Sequence, residues 1–372
     1  MPPVPRDLLA VLACPDCGGG LSAGGSSLRC GGCERAFPVA DGIPDLRGAL
    51  DARASAVRDF YALAPFPGYP PRDSYPALRA RAGRSTFAEL LDRAIAPDAT
   101  VLEVGCGTGQ MSLFLATGER RVVGADLSRA SLLLAAEAAR RFGIERARFV
   151  EMDLRQPALR AGAFDVVYCS GVLHHTPDPE ASFRAIARLV RPRGVLVAGL
   201  YNAYARWPHR LRRAVARLTR FRWIPLDPVL RERAAEPARR LAWLRDQYRH
   251  PEEHRHTLAE VQRWFRASGV EYFRTYPSTV IGEPALRGGA LFAPAPDDWA
   301  FENVLQQLGW SWTLSGEGGL FVVVGRRRDA AARDAGLAVP CPRHTVGDAG
   351  GCGATACHPR APEPDAGGGG GP

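Results

Sequence analysis

A doubly wound α/β fold, a parallel sheet with helices on both faces, is what this sequence predicts for its central part. Three observations carry the prediction. From about residue 83 to 200, short apolar runs alternate with helical stretches, the pattern of βαβ units. The first run, "VLEV", leads into the glycine-rich turn "GCGTG" and then into a helix. Two Cys-x2-Cys pairs stand together near the start and set off a separate small module.

The elements follow in chain order. Residues 1–46 form the Gly- and Cys-rich module. Within it "LLAVLAC", ending at Cys14, loosely matches a lipoprotein cleavage box. Its apolar run is shorter than the ~7–15 residues of a signal core, and Arg6 and Asp7 interrupt the approach. Residues 47–82 read as a linker. A short helix in "RGALDARASAVRDF" is followed by the Pro-rich "APFPGYPPRDSYP", expected to be extended or turning. Phe60, Tyr61, Phe66 and Tyr69 either close over a ligand as a lid or join the domains. Residues 83–202 hold five strands, "ATVLEV", "RVVGAD", "ARFVEMD", "FDVVYCS" and "GVLVAGL". Residues 203–256 break the alternation and read as an arginine-rich helical cap. Residues 257–328 return to the core. An amphipathic helix is N-capped by Thr257, with Glu260 in capping-box position. Strands "VEYFRTY" and "GLFVVVGRR" follow, separated by a long irregular excursion over 277–319. The tail 329–372, ending in "GGGGGP", is expected to be disordered. Its Cys341, Cys352, Cys357 and His358 lack the spacing of a metal knuckle.

Composition narrows the reading. Hydrophobic residues make up 46% and charged residues 23%, ordinary for a soluble globular chain. The formal charge is +9, yet every basic residue is arginine, so the basic balance reflects residue usage more than a nucleic-acid partner. No run approaches the ~20 apolar residues of a membrane helix, so no transmembrane segment is expected. A cytoplasmic location is the expectation. Nine cysteines, an odd number with four in paired spacing, point to metal and free thiols over a disulfide framework. Cys106 and Cys169 read as buried small hydrophobes.

The glycine turn raises the cofactor question. A dinucleotide fingerprint is G-x-G-x-x-G; here Gly105, Gly107 and Gly109 give G-x-G-x-G, and Gln110 takes the sixth place. Asp126 ends the second strand about 20 residues on, where a carboxylate accepts from both ribose hydroxyls. Asp153 ends the third strand, flanked by Met152 and Leu154. Glu103 lies just before the turn, which suits a ligand carrying an ammonium and a sulfonium better than one carrying phosphates.

At these residues the sequence resembles the class I S-adenosylmethionine-dependent methyltransferases, most of all the branch that includes the ubiquinone and menaquinone biosynthesis methyltransferases. The motifs are "LEVGCGTG", "GADLS", "EMDL", "FDVVYCSGVLHHTPDPE" and "LVRPRGVLVAG". The resemblance implies a Rossmann-like seven-stranded sheet whose final pair is antiparallel. It implies that Gly105, Gly107 and Gly109 line the methionine portion, that Asp126 takes the ribose, that Asp153 with Leu154 takes the adenine, and that Leu127 also belongs to the cofactor site. Ser170 and Gly171 would border the methyl group, with Glu103 close to the ammonium. His174, in the "HH" after the fourth strand, is the candidate general base; the other reading has both histidines capping the turn. Tyr201 and Asn202 either bind substrate or end the fifth strand.

Cys14, Cys17, Cys30 and Cys33 give C-x2-C, twelve residues, C-x2-C, the spacing of a closed structural zinc site. The surrounding stretch resembles the zinc-ribbon activator subunit of eukaryotic tRNA and protein methyltransferases. The expected function is therefore methyl transfer from S-adenosyl-L-methionine to a small or lipid-like metabolite. A tRNA substrate is the second reading, and a non-catalytic cofactor- or partner-binding scaffold the third. "ARWPHRLRRAVARLTRFR" has seven arginines and no acid. It reads first as a solvated face, then as a grip for phosphate, RNA or anionic membrane. Trp207, Trp223 and Trp243 are expected to pack the cap. His250, His254 and His256 are expected in a surface loop.

Overall fold

The structure, a computed structural model, describes residues 4–329 apart from 64, 66–68, 70–72, 228–229, 231–236, 250–251, 297–298 and 315–317. Phe66, His250 and the tail beyond 329 therefore lie outside the described residues.

Seven strands form the central sheet: β5 (Thr100–Val104), β6 (Arg121–Asp126), β7 (Ala147–Glu151), β8 (Phe164–Ser170), β9 (Val190–Tyr201), β10 (Val270–Tyr276) and β11 (Leu320–Arg327). Their order across the sheet is β7-β6-β5-β8-β9-β11-β10. The first five run parallel, and β11 is antiparallel to both of its neighbours. This is the expected seven-stranded arrangement. The inner strands are apolar along nearly their whole length because both faces are covered. The order reverses between β5 and β8, and the crevice beyond the strand ends at such a switch point is where α/β sheets hold ligands.

Helices α3 (Tyr75–Ala82), α4 (Thr86–Ala94), α5 (Gln110–Leu115), α6 (Arg129–Phe142) and α7 (Pro179–Ala187) flank the sheet. Their caps are local chemistry. Ser128 accepts from the Ser131 N–H at the start of α6, and Gly143 ends it in a left-handed conformation, φ 68°. Asp178 caps α7 ahead of Pro179. The expected extended stretch through Pro76 stops earlier. Ser74 caps α3 and Pro76 sits in its first turn, where a missing N–H costs nothing. The excursion over 277–319 is also more ordered than expected. It holds a 3-10 turn at Gly288–Phe292 and a helix over Ala300–Thr313. Trp299 occupies that helix's N-cap position in place of the usual Ser, Thr, Asp or Asn, which hid its start.

The N-terminal module has helix α1 (Arg6–Val11) and a meander of β1 (Leu21–Gly24), β2 (Ser27–Cys30), β3 (Ala36–Ala40) and β4 (Ile43–Pro44). It does not stand alone. Leu8, Leu12, Leu28 and Phe37 share one apolar cluster with Val150, Met152 and Leu159 of the core. Asp45, beside β4, bridges Glu151 on the edge strand β7. The module thereby covers an edge that would otherwise offer unpaired backbone groups. Glu151 is fully buried and pairs with Arg47 at 3.0 Å and Arg129 at 3.2 Å.

The cap contributes α8 (Trp207–Leu218) and α9 (Pro237–Arg249). Trp207 and Trp223 are each 60% exposed, so they do not pack it; Trp243 is partly buried against Ala216 and Tyr248. "HRH" is not a surface loop. The His256 N–H donates to the Tyr201 carbonyl at 2.9 Å, and the His254 N–H to the His174 carbonyl at 2.8 Å. Thr257 caps the following helix, α10 (Leu258–Ala267), but the Glu260 carboxylate turns to His256 Nδ1 instead of closing a capping box.

Candidate active site

A cavity of about 760 Å³ opens beyond the carboxyl ends of β5, β6, β7 and β8. It falls in the ~300–1,000 Å³ range of small-molecule sites. Its floor is the glycine turn. Gly105 has φ 71°, and a Cβ there would lie 2.2 Å from Val172 Cγ2. Only glycine lets this backbone line the cavity. The Gly107 N–H donates to Asp126 Oδ2 and the Ser128 N–H to Asp126 Oδ1, both at 2.8 Å. Asp126 thus braces the turn while its carboxylate remains in the cavity wall.

Nine of the ten residues expected to hold cofactor line this one cavity: Glu103, Gly105, Gly107, Asp126, Leu127, Asp153, Leu154, Ser170 and Gly171. Gly109 does not. Its φ is 75° at the start of α5, and a Cβ would strike Ala135 at 2.7 Å and the Phe149 ring at 3.0 Å. It is the glycine that lets α5 approach α6 and the sheet.

The acids have distinct settings. Burial pushes Glu103 up to about 7, against a hydrogen bond donated by the Ser112 hydroxyl. Burial also raises Asp126, opposed by its backbone donors. Asp153 is engaged by Arg155, with Nη2 at 2.7 Å from Oδ2 and Nε at 3.1 Å from Oδ1. Arg155 in turn reaches Asp51 at 2.6 Å, and Asp51 accepts from the Ala54 N–H at the start of α2 (Ala52–Leu63). One guanidinium therefore ties the end of β7 to the helix that forms the cavity's outer wall.

The two histidines have different settings, and His174, the expected base, lies outside the cavity wall. His174 is fully buried and does not line the cavity; its ring lies tilted by 30° against Tyr201, with centroids 3.7 Å apart. His175 lines the cavity. Its Nδ1 lies 2.7 Å from the Glu252 carbonyl, an acceptor only, so Nδ1 carries the proton and Nε2 the lone pair. Burial lowers His175 to about 4, so the ring is neutral near pH 7. Sequence order alone could not separate two adjacent histidines; the 3-10 turn at Leu173–His175 does so. Tyr201 reaches the cavity, whereas Asn202 spends its side chain on Gln307 and on the Tyr204 and Ala205 N–H groups. Tyr61 lines the wall, and the Tyr69 hydroxyl donates to the Thr108 carbonyl at 2.7 Å. Cys106 also borders the cavity, while Cys169 is buried. Trp243, Gln247 and Glu252 close the far side from the cap, and no local motif announced them.

The Cys14, Cys17, Cys30 and Cys33 sulfurs all lie within 4.8 Å of one another. Tetrahedral bonds of about 2.3 Å place thiolates roughly 3.8 Å apart, so the donor set and spacing suit a four-thiolate metal site. The Gly19 and Gly32 N–H groups point at Cys17 and Cys30 sulfur, at 3.4 and 3.3 Å. Among the described residues this is the one group placed to hold a metal.

Sheet order, glycine turn and strand-end acids define a Rossmann-like methyltransferase fold. Residues 102–198 match the methyltransferase domain family and residues 6–42 the Trm112p-like protein family. The chain thus carries a methyltransferase domain joined to a Trm112-like module. It is 28% identical over 249 residues to an uncharacterized protein of Synechococcus sp., covering 60% of each chain. It is 32% identical over 160 residues to the ubiquinone biosynthesis O-methyltransferase of Cronobacter sakazakii, 42% of this chain and 63% of that one. The chain therefore spans less than two thirds of these relatives. A solved Haloferax volcanii complex between the Trm112 methyltransferase activator and a methyltransferase aligns with TM-score 0.43 and 14% identity, over 76% of this chain and 100% of that one. No helix among the described residues is long and apolar enough to cross a membrane.

Proposed function

We propose that the chain transfers a methyl group from S-adenosyl-L-methionine to a small or lipid-like acceptor. The observation that carries this reading is one continuous cavity, running from the glycine turn and Asp126 to Trp243 and Gln247 of the cap. One end suits an adenosyl sulfonium; the other is walled by aromatic and amide side chains.

The cofactor, when bound, supplies an electrophilic methyl and its own leaving group. Asp126 would take the ribose, Asp153 with Leu154 the adenine, and Glu103 the ammonium. Gly105 and Gly107 would admit the methionine chain, with Ser170 and Gly171 beside the methyl. The protein's part is alignment and exclusion of water, which supply much of the acceleration of such a displacement. His175 would take a proton from an acceptor hydroxyl or amine through Nε2, an atom that is buried in this structure, so the ring must turn or its cover open as the acceptor enters. Replacement of His175 by Ala is expected to lower turnover by roughly 10²-fold, the low end for a general base because a pKa near 4 leaves little driving force. Cofactor KM should change little; an unaltered rate would remove His175 from the chemistry.

Glu103 gives a pH signature. A carboxyl poised at about 7 is largely protonated below that pH, and a nearby ammonium favours its charged form. Cofactor binding is expected to expel a proton below pH 7, and affinity to climb as pH rises through about 7, then level. Calorimetry in two buffers of different ionisation enthalpy reads the proton directly. Glu103→Gln should abolish it.

Cys14, Cys17, Cys30 and Cys33 would hold Zn²⁺ as a closed, structural site. The Trm112-like match supports the second reading, a tRNA acceptor. Incubation with methyl-labelled cofactor and fractionated lysate separates the cases: label in lipid or small molecules supports the first, label in RNA the second. Cofactor binding without transfer to any fraction would leave a scaffold.

A further inference from the structure

Arg210, Arg213 and Arg217 recur at helical spacing along one face of α8, and Arg255 comes across from the segment that follows α9. With Ala214 and Glu253 they line a second cavity of about 440 Å³. Its wall holds four guanidinium groups and one carboxylate. That carboxylate is already committed: Glu253 pairs with the fully buried Arg206 at 3.1 Å and with Arg213 at 2.7 Å. Within the arginine stretch Arg206 is fully buried and Arg213 half-buried, while Arg210 and Arg217 are exposed.

We propose that Arg210, Arg213, Arg217 and Arg255 form a seat for a phosphate group, either free or carried as a lipid headgroup. Guanidinium forks match the oxygens of a phosphate, and several forks around one concavity favour a multivalent anion. Burial pushes Arg213 and Arg255 down; Glu253 opposes this at both, and neighbouring guanidinium groups add to the lowering. On the same helix Trp207, Leu211 and Leu218, spaced four and seven residues apart, are 60%, 58% and 85% exposed. Apolar side chains beside a phosphate seat suit the lipid source. Consecutive residues join the two cavities: Glu252 lines the larger and Glu253 the smaller. The inference does not rest on methyl transfer.

The test uses the full-length, metal-loaded protein. Inorganic phosphate is titrated by calorimetry, recruitment to phosphatidylcholine vesicles is compared with and without phosphatidic acid, and an RNA oligomer is titrated in parallel. The Arg217→Gln/Arg255→Gln variant should weaken binding by at least about tenfold, as loss of charge-assisted hydrogen bonds predicts. Arg222→Gln, outside the wall, should not. Thermal unfolding checks that each variant folds, and Arg210→Gln replaces the double variant if it does not. Vesicle recruitment that needs both phosphatidic acid and these arginines assigns the lipid source; phosphate binding without recruitment assigns the free anion. No binding in either arm, equal binding by the variant, or capture only of an RNA oligomer would overturn the proposal.

Discussion

Stripping metal from the Cys14–Cys17–Cys30–Cys33 cluster is expected to lower the thermal midpoint of the whole chain by roughly 6–20 °C. A chelator with reductant, or Cys14→Ser, should act alike. The reason lies in how the module is attached. Four thiolates without an ion repel or protonate, and the turns around "CPDC" and "CGGC" lose their organising centre. The consequences reach the core because Leu12 and Phe37 belong to the same apolar cluster as Val150 and Met152. Displacement of the module also takes Arg47 away from Glu151, a fully buried carboxylate left with Arg129. Breaking a buried pair of this kind costs up to ~3–5 kcal/mol. Met152 and Asp153 directly follow β7 in the cavity wall, so cofactor affinity should fall as well. A metal-free protein with an unchanged midpoint and unchanged affinity would show that the cluster is not a structural metal site.

What the sequence disclosed and what it hid divide along physical lines. The strands were legible because each is a short apolar run ended by a turn or an acid, and "TVLEV" and "FDVVYCS" need no tertiary information. Strand-end acids were legible for the same reason: topology alone brings Asp126 and Asp153 to one crevice. Hidden features depended on distant partners. Gly109 has the same motif and positive φ as Gly105, and only the packing of Ala135 and Phe149 reveals that it serves the core. His174 and His175 are consecutive, about a third of a 3-10 turn apart, which sends one ring under Tyr201 and the other to the cavity wall. Arg155 carries no motif, yet it links Asp153 to Asp51, 102 positions away in the chain from the first to the second. The helix over Ala300–Thr313 was missed because Phe301, Leu308 and Trp312 are exposed, so its apolar pattern did not mark a buried face.

Gly105→Ala is expected to weaken cofactor binding by more than about 100-fold and to destabilise the chain by about 2–5 kcal/mol. Two costs add. An L-residue in the left-handed region costs ~1–2 kcal/mol, and φ is 71° here. A methyl 2.2 Å from Val172 Cγ2 must displace it, and overpacking costs ~1–3 kcal/mol. Val172 cannot yield quietly. It lies between Gly171, which lines the cavity, and the 3-10 turn that presents His175. The same shift therefore narrows the floor and misplaces the proposed base. Two companion variants separate these effects. Val172→Ala added to Gly105→Ala should relieve the overlap but not the backbone strain, recovering part of the affinity. Gly109→Ala should also destabilise, through Ala135 and Phe149, yet leave the affinity of the folded fraction near wild type because Gly109 lies outside the cavity wall. Thermal unfolding with calorimetric titration of the demethylated cofactor measures both quantities. If Gly105→Ala folds and binds as the parent does while Gly109→Ala loses binding, the glycine turn meets its ligand through the other residue, and the site must be redrawn around α5.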